Sequence, residues 1–162
     1  MSRAFVKEAD EADTFDNLPD RPIGPEPNFV TPEGLAQIEA EVARLRAAEE
    51  AAKARDDKGA MAEIARDLRY WNARRATAEL VPAVQDTDAV RFGLTVTIER
   101  GTGKRQSFRI VGLDEADPTR GKLSYMAPLA RALTGKRVGE TVTVGNDEAE
   151  IVAILALPAA KS

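Results

Sequence analysis

The chain has 162 residues, 27 acidic against 23 basic side chains, no Cys and no His. Without Cys there is no disulfide framework, thiolate metal site or Cys nucleophile, and without His the commonest general base and metal ligand are gone. Any metal would therefore be held by carboxylates and other oxygen donors, which favours Mg²⁺ or Ca²⁺ over zinc.

Residues 1–29 predict an extended acidic arm. Pro19, Pro22, Pro25 and Pro27 interrupt any helix, and apolar residues are sparse enough to predict disorder. Residues 1–30 hold seven acids against three bases, a balance of −4, whereas the rest of the chain carries 20 of each. A balanced body lacks the clustered Lys and Arg of sequence-independent nucleic-acid binding, so the expected partner is another protein. Nothing resembles a membrane span or an apolar signal core, and a cytoplasmic monomer is expected.

Thr31-Pro32-Glu33-Gly34 is a helix start, with Thr31 capping, Pro32 in the first turn and Glu33 at the positive end. Leu35, Ile38, Val42 and Leu45 follow at spacings of three, four and three, and Ala48 and Ala52 continue the stripe to about Arg55. Asp56-Asp57-Lys58-Gly59 is the turn, with Gly59 free to take positive φ. Met61, Ile64, Leu68 and Trp71 repeat the stripe on a second helix ending at Pro82. Residues 30–82 are thus an antiparallel helical hairpin, or coiled-coil finger, about 35 Å long at 1.5 Å per residue. One seam rich in Ala near the turn buries little, so helix propensity should hold the distal part.

Residues 83–90 predict a linker, after which the period changes to two. Leu94, Val96 and Ile98 alternate with Thr95, Thr97 and Glu99, and Gly101-Thr102-Gly103-Lys104 turns into a strand through Phe108 and Ile110. Leu123–Met126, Val138–Val144 and Ala149–Leu157 supply further strands. Pro128 to Thr134 is a brief helix closed by Gly135. The fold class is α+β: the hairpin, then a small antiparallel β domain with one short helix over residues 91–158.

Few residues suggest chemistry. Gly101-Thr102-Gly103-Lys104 lacks the spacing of a phosphate loop and joins two strands, as a hairpin turn does. Ser107, Ser124 and Thr134 have no His to activate them. Asp56 and Asp57, adjacent at the hairpin turn, are the candidate metal-holding carboxylates; Asp is also simply common in turns, and Arg55 and Lys58 flank the pair. Arg66, Arg69, Arg74 and Arg75 suit a solvated helix face paired with Glu63, Asp67 and Glu79, with a surface facing RNA or a protein as the alternative for Arg69 and Arg74.

Three stretches resemble the Gre-type transcript-cleavage factors of bacteria. Val90-Arg91-Phe92-Gly93 leading into Thr95–Ile98, and Phe108–Gly112 followed by Asp114-Glu115-Ala116-Asp117, are similar to two of the family's strands. Leu123-Ser124-Tyr125-Met126-Ala127-Pro128-Leu129-Ala130-Arg131-Ala132-Leu133-Thr134-Gly135-Lys136 is similar to its most characteristic segment. The resemblance implies an FKBP-like C-terminal domain docked on the rim of the secondary channel of core RNA polymerase. It places docking on Ser124, Met126, Pro128, Leu129, Ala130 and Arg131. The finger would enter the channel, with the nascent RNA 3′ end near its tip.

Cleavage-competent members hold a second Mg²⁺, shared with the polymerase active site, on an Asp and a Glu three residues further on. Aligned on Tyr70, Glu63 stands at the Asp and Arg66 at the Glu; aligned on the turn, Asp57 stands at the Asp and Ala60 at the second acid. Either way one carboxylate is missing, and the finger is several turns short. The resemblance thus implies a polymerase-binding elongation regulator, no enzyme itself, that at most stimulates cleavage by polymerase. The alternatives are a modulator without cleavage, like the nucleoside diphosphate kinase regulators, and an FKBP-like prolyl isomerase with Phe92, Phe108 and Tyr125 as its aromatic residues.

Overall fold

The computed structural model describes residues 18–157. They divide into two compact units, residues 18–26 with Gln37–Thr77, and Pro27–Ala36 with residues 78–157. The expected acidic arm lies in part outside the described residues.

The first unit is the hairpin. Helix α1 spans Pro32–Ala54, its first turn belonging to the other unit, and helix α2 spans Lys58–Thr77. Val42 and Leu45 of α1 pack with Leu68 of α2, flanked by Ile64 and Trp71, so the two sequence stripes face each other. Ala52 is fully buried, as its place on the stripe requires.

The expected turn geometry needs correction: Asp56, not Gly59, takes positive φ, at 52°, while Gly59 lies inside α2. The amide of Asp57 donates to Ala52 O at 3.0 Å and that of Asp56 to Lys53 O at 3.1 Å. These two bonds close α1 in a Schellman motif, which puts the left-handed residue at position 56. Asp57 Oδ1 then accepts from the amide of Ala60 at 3.1 Å and caps α2. The turn is too short to leave Gly59 outside a helix.

Residues 18–26 form no helix or strand but are seated on α2, against the expected disorder. Arg69 Nε donates to Asp20 Oδ1 at 2.6 Å and Arg69 Nη2 to Leu18 O at 3.1 Å.

The second unit holds a two-stranded and a five-stranded sheet. Strands β1 (Phe29–Val30) and β2 (Glu79–Leu80) pair in parallel. Helix α2 therefore stops at Thr77 rather than Pro82. The amide of Glu79 donates to Asn28 O at 2.8 Å and that of Val81 to Val30 O at 2.9 Å, so main-chain donors after Thr77 go to β1 instead of to a helix.

Strands β3 (Thr95–Arg100), β4 (Arg105–Val111), β5 (Lys122–Ser124), β6 (Thr141–Val144) and β7 (Asp147–Leu155) order as β5-β4-β3-β7-β6. The sheet is mixed where the sequence predicts it antiparallel. β5 runs parallel to β4, with Ile110 opposite Leu123, because residues 112–121 cross back over rather than turning tightly. Helix α3 (Pro128–Leu133) sets Ala130 and Leu133 into the core with Val96, Ile98, Ile110 and Ile151. Val90, at the end of the expected linker, is fully buried too, its amide donating to Lys136 O at 2.8 Å.

Candidate functional site

Two features of the second unit bear on function. The first is the Leu123–Lys136 segment. Ser124 Oγ accepts from the amide of Met126 at 3.1 Å, turning the chain out of β5 toward α3. Pro128 opens α3, and Gly135 at φ 87° follows its end. Pro128 and Arg131 are exposed, Leu129 is half-buried and Ala130 is fully buried. Of the six docking residues drawn from the resemblance, Ala130 is therefore a core residue whose small side chain lets α3 sit close on the sheet.

Met126, Arg131 and Thr134 edge an apolar cavity of about 400 Å³ whose other walls are Phe29, Phe92, Ile110 and Tyr125. Three rings meet there edge to face, Phe29 to Tyr125 at 5.5 Å, Phe92 to Tyr125 at 5.9 Å and Phe29 to Phe92 at 6.2 Å between centroids. The Tyr125 hydroxyl donates to Pro27 O. An apolar bowl with one guanidinium and one hydroxyl at its edge fits an aliphatic or aromatic side chain presented by a polar surface. Of the three aromatic residues singled out in the sequence, Phe92 and Tyr125 line it and Phe108 does not. Phe29, which the sequence offers only as an anchor for the end of the arm, completes the wall, because the β1–β2 pairing brings it here.

The second feature is a buried carboxylate under the start of α1. Thr31 Oγ1 accepts from the amide of Gly34 at 2.9 Å, the helix cap, and donates to Glu115 Oε1 at 2.5 Å. Glu115 Oε2 is buried without a hydrogen bond, 3.7 Å from Arg109 Nη1 and 3.7 Å from Lys122 Nζ. Arg109 also donates from Nη2 to Glu33 Oε2 at 3.1 Å and from Nε to Gly93 O at 3.1 Å. Partial burial pushes the Glu33 carboxyl up, but its own backbone N–H, Arg109 and Thr31 together outweigh this and hold it below the usual carboxylate value.

At the hairpin turn the candidate carboxylates do not converge. Asp57 is engaged as a cap and lies 3.8 Å from Arg55 through Oδ2. Asp56 is exposed in its left-handed conformation, and Glu63 is exposed on α2. Among the described residues no three acids are grouped to hold a metal, so the turn does not by itself fit Mg²⁺. The stability consequences differ in sign. Asp56→Gly should stabilise by about 0.5–1 kcal/mol, since glycine takes positive φ without the Cβ penalty. Asp57→Ala should cost about 1 kcal/mol through the lost cap. Urea unfolding followed by helical circular dichroism measures both, and equal effects would overturn the assigned roles.

Residues 85–156 match the family model for the C-terminal domain of transcription elongation factor GreA/GreB. GreB of Neisseria meningitidis serogroup A is 40% identical over 103 residues, 60% of this chain and 63% of that protein, so the chain spans under two thirds of that relative. GreB of Xanthomonas axonopodis is 38% identical over 132 residues, 69% of this chain and 79% of that one, and GreA of Acidiphilium cryptum is 30% identical over 149 residues, 77% and 95%. The solved GreA factor homolog 1 (Gfh1) of Thermus thermophilus is 21% identical, covering 80% of this chain and 99% of that one, with a TM-score of 0.39. The chain belongs to the GreA/GreB family of transcription elongation factors. No helix among the described residues is long and apolar enough to cross a membrane.

Proposed function

We propose that this protein binds core RNA polymerase in the cytoplasm, as a monomer, through the face around Met126, Pro128 and Arg131. There it regulates elongation with its helical hairpin at the secondary channel. The observation that carries the reading is the placement of Met126 and Arg131 at the mouth of an aromatic cavity within the family's characteristic segment. Such a cavity desolvates one apolar side chain of a partner while the exposed guanidinium fixes its register.

Regulation without strong stimulation of RNA cleavage is the better supported form. A second metal shared with the polymerase active site needs carboxylates free to turn toward it, and Asp57 is committed to its cap while Asp56 and Glu63 stand apart. In co-sedimentation with core polymerase, Met126→Ala and Arg131→Ala should each weaken binding by about tenfold, the size of a modest hot spot. Unchanged binding in both would overturn the docking face.

Cleavage is tested on a stalled, backtracked complex. The clean variant is Asp56→Asn with Asp57→Asn, because Asn both caps helices and tolerates positive φ, so charge is removed while the turn is kept. Little cleavage by the wild type, unchanged in this variant, is the expected result. Strong wild-type cleavage abolished by the pair would make these carboxylates metal ligands after all.

A further inference from the structure

The described part of the acidic arm makes a specific contact that polymerase binding does not require. Arg21 lays its guanidinium 3.9 Å from the centroid of the Tyr70 ring and 5.8 Å from that of Trp71. The two rings stand edge to face, 5.1 Å apart at 89°, so the cation sits in an aromatic corner. Charges on either side fix the register: Arg21 Nη1 is 3.5 Å from Asp67 Oδ1, and Asp20 receives a hydrogen bond from Arg69 at 2.6 Å. Ile23 and Ala73 close a small hollow of about 170 Å³ with Asp20, Arg21, Arg69 and Tyr70. Pro19, Pro22 and Pro25 carry no N–H and keep the segment extended, so it lies along α2 as a peptide ligand lies in a groove.

We propose that residues 19–23 are a salt-released strap, an intramolecular ligand that covers the Tyr70–Ala73 face of α2 and can be lifted from it. The fastening is suited to release. The Arg69–Asp20 pair is solvent-exposed, with 45% and 72% of the side chains accessible, and the Arg21–Asp67 pair is half-buried, at 39% and 30%. Exposed pairs are weak and screened by salt. Open, the aromatic corner accepts another extended segment of the same chemistry, an acid followed by a cation and a proline. The strap does not depend on the polymerase reading.

Trp71 is the sole tryptophan of the chain and reports directly on the strap. Acrylamide quenching of its fluorescence, in the full-length protein, should rise about twofold in Arg21→Ala. It should rise by a similar factor in the wild type at about 0.5 M salt, where the Debye length falls to roughly 4 Å. Salt should add less to the variant than to the wild type, since only the Arg69–Asp20 pair is left to screen, and Arg21→Lys should fall between, since an ammonium keeps the charge but not the planar stack. Arg21 lies outside both helices, so helical circular dichroism should stay constant and separate release from unfolding. Quenching in Arg21→Ala identical to wild type, or a salt response of equal size in both proteins, would overturn the strap.

Discussion

Glu115→Ala is expected to lower the unfolding free energy by about 3 kcal/mol, the usual cost of removing one partner from a buried ion pair. The side chain is only 3% accessible and faces two cations, Arg109 and Lys122, at 3.7 Å. Its loss leaves Arg109 with Glu33 and the Gly93 carbonyl but uncovers the charge beneath, and it leaves the Thr31 hydroxyl without an acceptor. Glu115→Gln keeps an oxygen for Thr31 and loses only the charge, so it should cost less than the alanine variant. A sharper consequence falls on Gly34. A Cβ there would lie 2.8 Å from Glu115 Oε1 and 3.3 Å from Thr31 Oγ1, so alanine at the third residue of the helix displaces the buried carboxylate from its bond with the Thr31 hydroxyl. Gly34→Ala should therefore destabilise the wild type but, with Glu115→Ala, become favourable by up to about 1 kcal/mol, the helix preference of Ala over Gly. Denaturant unfolding of the four proteins gives this cycle. If Glu115→Ala unfolds within 0.5 kcal/mol of wild type, or Gly34→Ala costs the same in both backgrounds, the carboxylate does not lock the helix start.

Local periodicity reported the helices and most of the sheet well. Stripes at three- and four-residue spacing marked the hairpin seam, and Thr31-Pro32-Glu33-Gly34 marked a cap that the Thr31–Gly34 hydrogen bond makes real. Alternation in Val96 and Ile98 marked the inward face of β3. What local pattern could not carry was pairing at a distance. Strands of two residues have no period, so β1 and β2 were invisible, and with them the reason α2 ends at Thr77 and the place of Phe29 in the cavity. In β7 the pairing with β3 shifts register after Thr97, so burial passes from Ala149 and Ile151 to Ile154 rather than Ala153. One extra residue inverts the phase of a strand, and no period-two template anticipates it.

The candidate site divides in the same way. Met126 and Arg131 were named for docking through a contiguous motif, and the fold sets both at the edge of the cavity, while Pro128 of the same motif does not line it. Ala130 was named for docking by the same motif but serves the core, because a motif does not say which of its residues face inward. Glu115 stood in an acidic loop, Asp114-Glu115-Ala116-Asp117, where nothing in the order of residues sets one acid apart. Only the fold places it against Thr31, Arg109 and Lys122.

Gly112→Ala is the second large effect, and it links packing to the proposed docking face. Position 112 does not have positive φ, so alanine is allowed by the backbone itself. The obstacle is space: a Cβ would lie 2.3 Å from Phe29 O, 3.4 Å from Phe29 C and 3.7 Å from Val30 Cα. A main-chain oxygen cannot swing aside as a side chain does, and β1 is fixed on its other edge by the bonds from Glu79 and Val81. Relief requires the whole of β1 to move, at a cost of roughly 1–3 kcal/mol or more for overpacking against a rigid neighbour. Because the contact is with backbone, Phe29→Ala should not rescue the variant, which separates this clash from crowding by the ring. The displaced strand would carry the Phe29 ring away from Phe92 and Tyr125 and open the aromatic wall beside Met126 and Arg131. Affinity for core polymerase should then fall in Gly112→Ala even at temperatures where it remains folded. A variant as stable as wild type, or one restored by Phe29→Ala, would show that β1 does not press on Gly112 as described.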